Sequence, residues 1–213
     1  MTPVPRLPPF APGMRIGLLG GSFNPPHEGH ALITHLALRR LALDRVWWLV
    51  TPGNPLKSLT GLAALKARME AARRLDVGPK VVVSDIEAQI DSHFTYDTLW
   101  WLKRRAAGVH FVWIMGADNL RQFHLWRHWR AIAGLAPIAV IDRPGSTLKG
   151  ISSPAGAALA RWRVPERDAP RFATMQPPAL LFLHGPRSSL SSTALRRAGA
   201  SEHSAATPAE ISC

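Results

Sequence analysis

Six short runs, apolar at nearly every position, most constrain what this chain can fold into: 15–19 (RIGLL), 46–51 (VWWLVT), 80–84 (KVVVS), 110–115 (HFVWIM), 137–141 (PIAVI) and 180–183 (LLFL). A strand with one wet face alternates apolar and polar residues, whereas unbroken apolarity requires a sheet covered on both faces. Segments of helical period lie between the runs at about 29–43, 62–76, 95–107, 126–133 and 154–163, and a last helix is expected to begin near Ser192. Strands that alternate with helices connect by right-handed parallel crossovers, so the expected fold class is α/β: a doubly wound, Rossmann-like parallel sheet with helices on both faces.

In such sheets ligands bind beyond the carboxyl ends of the strands, near the point where the strand order reverses. The tails there read GGSFNPPHEGH after the first strand, PGNPLKS after the second, GADN after the fourth and HGPRSSLSSTALRR after the last. Their glycines, hydroxyls and basic groups suit an anionic ligand. The formal charge of +12, from 26 basic and 14 acidic side chains, has the same sign preference and would also hold nucleic acid loosely.

Length and composition bound the rest. The 213 residues, 46% hydrophobic and 19% charged, suit one domain, expected over 14–199, between a loose proline-rich extension at 1–13 and a flexible tail at 200–213. The single cysteine, Cys213, rules out an intramolecular disulfide or a multi-thiolate metal site, which fits a reducing cytoplasm. No apolar run approaches the roughly 18 residues of a bilayer span, so no membrane partner is expected.

Gly20 and Gly21 end a buried strand and let a ligand approach the main chain without a Cβ in the way, although a plain turn uses glycines in the same manner. His27 and His30 follow two prolines and precede an apolar-periodic run, which places them on the first turn of a helix and on one face. A helix start presents free N–H groups and a positive dipole end, and imidazoles added there stabilise charge that builds on phosphate. The same two histidines also suit plain helix caps. As a zinc pair they lack further ligands close by. Near the other end, Ser192 and Thr193 with Arg196 put hydroxyls and a guanidinium at a second helix start, which reads either as a second phosphate cradle or as a capped basic helix.

Together, GGSFNPPHEGH and SSTALRR resemble the paired signatures of the HxGH nucleotidyltransferase superfamily, and from 14 to 199 the chain is similar to its bacterial nicotinate-nucleotide adenylyltransferase branch. The resemblance implies transfer of AMP from ATP to nicotinate mononucleotide, giving deamido-NAD and pyrophosphate. It implies that Gly20, Gly21, Ser22 and Phe23 wrap phosphate and nucleotide, that His27 and His30 face the triphosphate, and that Ser192, Thr193 and Arg196 bind ATP's phosphates. Asp118 corresponds to an acid at the adenylate ribose, and Lys57 to a basic group near the phosphates, with Leu56 standing where a histidine is common. Thr95 matches a threonine at the nicotinate carboxylate and Trp126 a tryptophan stacked on the pyridine ring, with Arg127 where relatives often carry an aromatic.

The expected reaction is direct in-line displacement at ATP's α-phosphorus with no covalent enzyme intermediate. Mg2+ is expected to accompany ATP rather than occupy a dedicated carboxylate cage. Homo-oligomerisation is left open, as is a sister transferase that uses nicotinamide mononucleotide or another phosphate acceptor. A basic nucleic-acid-binding module is the reading from another class, and the sequence carries no recognition motif for a specific nucleic acid.

Overall fold

A computed structural model describes residues 4–53, 60–142 and 147–185. Seven strands, β1 (Arg15–Gly21), β2 (Arg45–Val50), β3 (Val81–Ser84), β4 (His110–Gly116), β5 (Ile138–Ile141), β6 (Arg163–Val164) and β7 (Leu180–Leu183), form one sheet in the order β3-β2-β1-β4-β5-β7-β6. Every neighbouring pair is parallel. The order reverses between β1 and β4, which puts the switch point beside the GGS tail.

The helices are α1 (Glu28–Arg40), α2 (Leu65–Arg74), α3 (Ile86–Gln89), α4 (Thr95–Arg105), α5 (Ala117–Gln122), α6 (Trp129–Leu135), α7 (Thr147–Ile151) and α8 (Pro154–Ala158), with 3-10 segments at Phe123–Leu125, Ala160–Trp162 and Glu166–Thr174. None of the described helices is long and apolar enough to cross a membrane.

The unbroken apolarity of the strands has its cause in two cores, one on each face. Trp47 and Leu49 of β2 join Ile16, Leu18, Trp113 and Val140 in a core covered by Leu99 and Leu102 of α4, Leu120 of α5 and Ile132 of α6. Trp48 and Val50, one residue out of phase, join Leu19, Ile114 and Ile141 in a second core covered by Ile33 and Leu36 of α1, Met69 of α2 and Phe172. Both tryptophans are fully buried. Burial of each such side chain is worth about 1.5–3 kcal/mol, so neither face of β2 can turn outward without a large loss.

All six expected strands are present, within two residues at their ends. The seventh, β6, went unread because two residues carry no pattern. The helix expected at 126–133 is divided: His128 takes the left-handed conformation at φ 55, so Trp126 lies in a link and α6 begins only at Trp129. Likewise the segment expected at 154–163 is α8, then a 3-10 turn, then β6. The described part of the expected loose extension is docked rather than free. Leu7 and Phe10 pack on the first core, Gly13 donates to the Gly108 carbonyl at 2.8 Å, and Arg6 N–H donates to Gln89 Oε1 at 2.6 Å. Two apolar side chains suffice to hold a short proline-stiffened segment on the sheet's end.

Candidate active site

The tail of β1 is tighter than a flexible turn. Gly20 and Gly21 are still strand residues, and neither has a positive φ. Their lack of a Cβ serves packing: at Gly20 a Cβ would sit 2.9 Å from the Trp113 ring, and at Gly21 3.3 Å from that of Phe23. The left-handed position falls instead on Phe23 at φ 46, a conformation that is costly for a bulky residue. What holds it there is burial. Its ring is wholly inside, stacked on Trp48 at 4.9 Å and tilted against His30 at 4.7 Å. Phe23 therefore has only its backbone to offer a nucleotide, and Ser22 carries the side chain that lines the adjoining cavity.

His27 is the N-cap of α1, one position before the helix, rather than a residue of its first turn. Its Nδ1 accepts the Gly29 N–H at 3.1 Å, and His30 Nδ1 accepts the His27 N–H at 3.2 Å, a reciprocal capping box made by two imidazoles. The rings lie 3.9 Å apart. An Nδ1 that accepts must be unprotonated, so each neutral ring carries its proton on Nε2 and presents that nitrogen as a donor. Serine and glutamate would cap the helix as well, and histidine is not a favoured N-cap. Capping through both Nδ1 atoms thus leaves the donor capacity of each ring on its Nε2, at the start of α1.

A cavity of about 250 Å³ opens beside this cradle, lined by Gly20, Gly21 and Ser22 on one side and by Phe94, Thr95, Trp126 and Arg127 on the other. Thr95 is the first residue of α4, so the cavity receives that helix's N-terminal end. The Trp126 indole stands edge-on to Phe123 at 5.3 Å and to Trp113 at 6.2 Å. Arg127 lies 4.7 Å over the Phe94 ring and 3.8 Å from Asp97, so its guanidinium is laid on an aromatic ring at the cavity wall. Asp118 is in the first turn of α5, and its neighbour Asn119 reaches the cavity wall. The structure thus brings Gly20, Gly21, Ser22, Thr95 and Trp126 to one cavity and sets His27 and His30 behind it through Phe23. Lys57, Ser192, Thr193 and Arg196 lie outside the described residues.

Sequence reasoning missed three contributors. Glu87 of α3 lines the cavity yet is only 5% exposed, and burial pushes its carboxyl up to about 7 against hydrogen bonds from Thr51 and Thr98. Thr51, just past β2, and Asn119 share the wall. An acid inside the apolar reading frame of SDIEAQI was the available signal for Glu87.

A sequence model described as cytidylyltransferase-like matches residues 18–198. A probable nicotinate-nucleotide adenylyltransferase of Methylorubrum extorquens is 59% identical over 183 residues, which cover 86% of this chain and 99% of that protein. One from Mesorhizobium japonicum is 53% identical over 191 residues, 90% of this chain and 98% of that protein. Among solved structures, the Plasmodium falciparum nicotinic acid mononucleotide adenylyltransferase complexed with NaAD superimposes with a TM-score of 0.62 at 17% identity, over 85% of this chain and 82% of that one, which speaks for the fold. By the extent of the family match and the identity to these relatives, the chain belongs to the cytidylyltransferase-like family and, within it, to the nicotinate-nucleotide adenylyltransferases.

Proposed function

We propose that the protein transfers the adenylyl group of ATP to nicotinate mononucleotide, forming nicotinate adenine dinucleotide and releasing pyrophosphate, in the cytoplasm. The observation that carries the reading is the pair of imidazoles locked by their Nδ1 atoms into Nε2–H donors at the start of α1, beside a cavity walled by an indole and a helix N-terminus. The relatives' names supply the acceptor.

A phosphate oxygen of the mononucleotide attacks ATP's α-phosphorus. The bond from that phosphorus to the bridging oxygen breaks, and pyrophosphate departs with the electron pair. Charge therefore grows on the leaving phosphates, where two preorganised donors lower the barrier without moving. The β1 tail positions the mononucleotide phosphate with backbone N–H groups, and the cavity holds the base. Trp126 gives it an apolar wall, and the N-terminal end of α4 at Thr95 suits a carboxylate better than a neutral amide. Among the described residues no group of three or more His, Cys, Asp or Glu is placed to hold a metal. In this reading Mg2+ would come with ATP, where it would neutralise phosphate charge and keep much of its water.

The test is an acceptor panel with ATP and Mg2+, read by pyrophosphate release and product mass. Dinucleotide is expected with nicotinate mononucleotide. Product with the amide mononucleotide alone would overturn the substrate assignment, and salt-sensitive DNA binding without turnover would overturn the reaction class.

A further inference from the structure

Arg68, on α2, is only 3% exposed. Among the described residues its guanidinium has no carboxylate partner. It makes four bonds, all to backbone carbonyls: Nε donates to Ala63 O at 2.8 Å, Nη1 to Ser22 O at 2.7 Å and to Thr51 O at 2.8 Å, and Nη2 to Pro52 O at 3.4 Å. Burial pushes its pKa below the ordinary arginine value. For stability alone this is a poor arrangement, since the cation is desolvated, unpaired with an anion and set near the positive end of its own helix.

The placement accounts for it. The β1–β2 ladder ends at Gly21 opposite Val50, with Thr51 N–H donating to Gly21 O at 3.0 Å. Ser22 and Thr51 are the next residue on each strand, and a single nitrogen of Arg68 takes both of their carbonyls. A second tie runs the same way: Asn24 Nδ2 donates to Gly61 O at 2.8 Å, and Ala63 N–H to Asn24 Oδ1 at 3.4 Å. The segment leading into α2 is therefore fastened to the cradle on both sides of Phe23, the residue in the strained left-handed conformation.

We propose that Arg68 is a positioning residue for adenylyl transfer: its guanidinium adds one rung beyond the sheet, fixes the β1 tail against the β2 tail before substrate arrives, and sets a permanent positive charge beneath the cradle. The proposal rests on the adenylyltransferase reading. Arg68 reaches the reacting phosphates only through Ser22 and the backbone around it.

The variants are Arg68→Lys, which keeps the charge but loses the planar fork, and Arg68→Met, which keeps the stem but loses both. Kinetics are measured well below each variant's melting temperature, alongside amide hydrogen exchange. Displacement of a positioned group costs up to roughly 100-fold in rate, so kcat should fall on the order of 10- to 100-fold in both variants. The KM for ATP should rise clearly only in Arg68→Met, where the charge is gone. Exchange should quicken at Ser22, Phe23, Thr51 and Gly53 and stay slow within β1 and β2. A folded Arg68→Lys with wild-type kcat, or unchanged exchange at those four amides, overturns the proposal; if Arg68→Met does not fold, Arg68→Lys alone decides. If the wild type makes no dinucleotide, the reaction assignment fails, while the exchange measurement still decides whether Arg68 holds the cradle.

Discussion

Glu87 has almost no water around it, and its proton stays on to about pH 7 because the ionised form cannot be solvated there. The folded pKa lies above the unfolded value of 4.5, so below pH 4.5 both states hold the proton and Glu87 adds no pH dependence. Between 4.5 and 7 only the unfolded state has ionised, which favours unfolding as pH rises; above 7 the effect levels off at on the order of 3 kcal/mol. Glu87→Gln should therefore gain about that much stability on the wild type between pH 4.5 and pH 8, measured by urea denaturation at both. Equal gains at both would show that the carboxyl is ionised in the fold. His30→Ala removes a cap and a donor together, and the two losses are separable. Loss of the cap should cost about 1 kcal/mol of stability. Loss of the Nε2–H should cut kcat about 100- to 1000-fold with ATP binding changed far less. A variant that binds ATP poorly yet turns over normally would remove His30 from the chemistry.

At the scale of elements, α1 is fastened to β2 by a buried relay: Trp48 Nε1–H donates to Thr34 Oγ1 at 2.8 Å, and Thr34 Oγ1–H to His30 O at 2.8 Å. The relay ties the His30 end of the helix to the sheet. Thr34→Val keeps the shape but strands the indole N–H, and should cost about 1–3 kcal/mol in thermal or urea unfolding. The sequence was most legible where elements were long and regular. The six strands could be read because two cores leave no polar gap in them, and α1 because Ile33, Leu36 and Ala37 recur on one face. The four residues of α3 and six of α5 complete barely a turn or two, too few for a period to register. The 3-10 segment Glu166–Thr174 contains Pro170 and repeats in threes, so the α pattern misses it. Of the residues expected through resemblance, Thr95 and Trp126 line the cavity. The capping role of the two histidines was open beside the anion role, and the structure has both Nδ1 atoms cap α1. Arg68 and Glu87 were not legible, because their meaning lies in carbonyls and walls brought from other parts of the chain.

Across the whole molecule, one carboxylate joins distant parts. Glu166 accepts from Arg40 at the end of α1 at 2.8 Å, from the His184 N–H at 3.1 Å and from the His184 ring at 2.8 Å, just past β7. Burial alone would raise its pKa, but the His184 bonds and the Arg40 charge outweigh that and hold it below the ordinary glutamate value. A depressed folded pKa contributes stability above the unfolded value and loses it as pH falls through the folded one. Glu166→Gln should thus be less stable than wild type at pH 7 by up to about 1 kcal/mol, with the gap closing in acid, as followed by melting temperature against pH. A gap constant with pH would mean that the ionised carboxylate is not what matters.

The two outermost strands have a consequence for behaviour at high concentration. β3 offers four residues and β6 only two, and Arg163 of β6 folds its guanidinium over Phe182 at 4.7 Å. An incoming strand from another molecule would find too few free backbone groups at either border to template a pairing, and a positive charge at one of them. Borders this short give the apolar inner strands little edge on which a second molecule could pair.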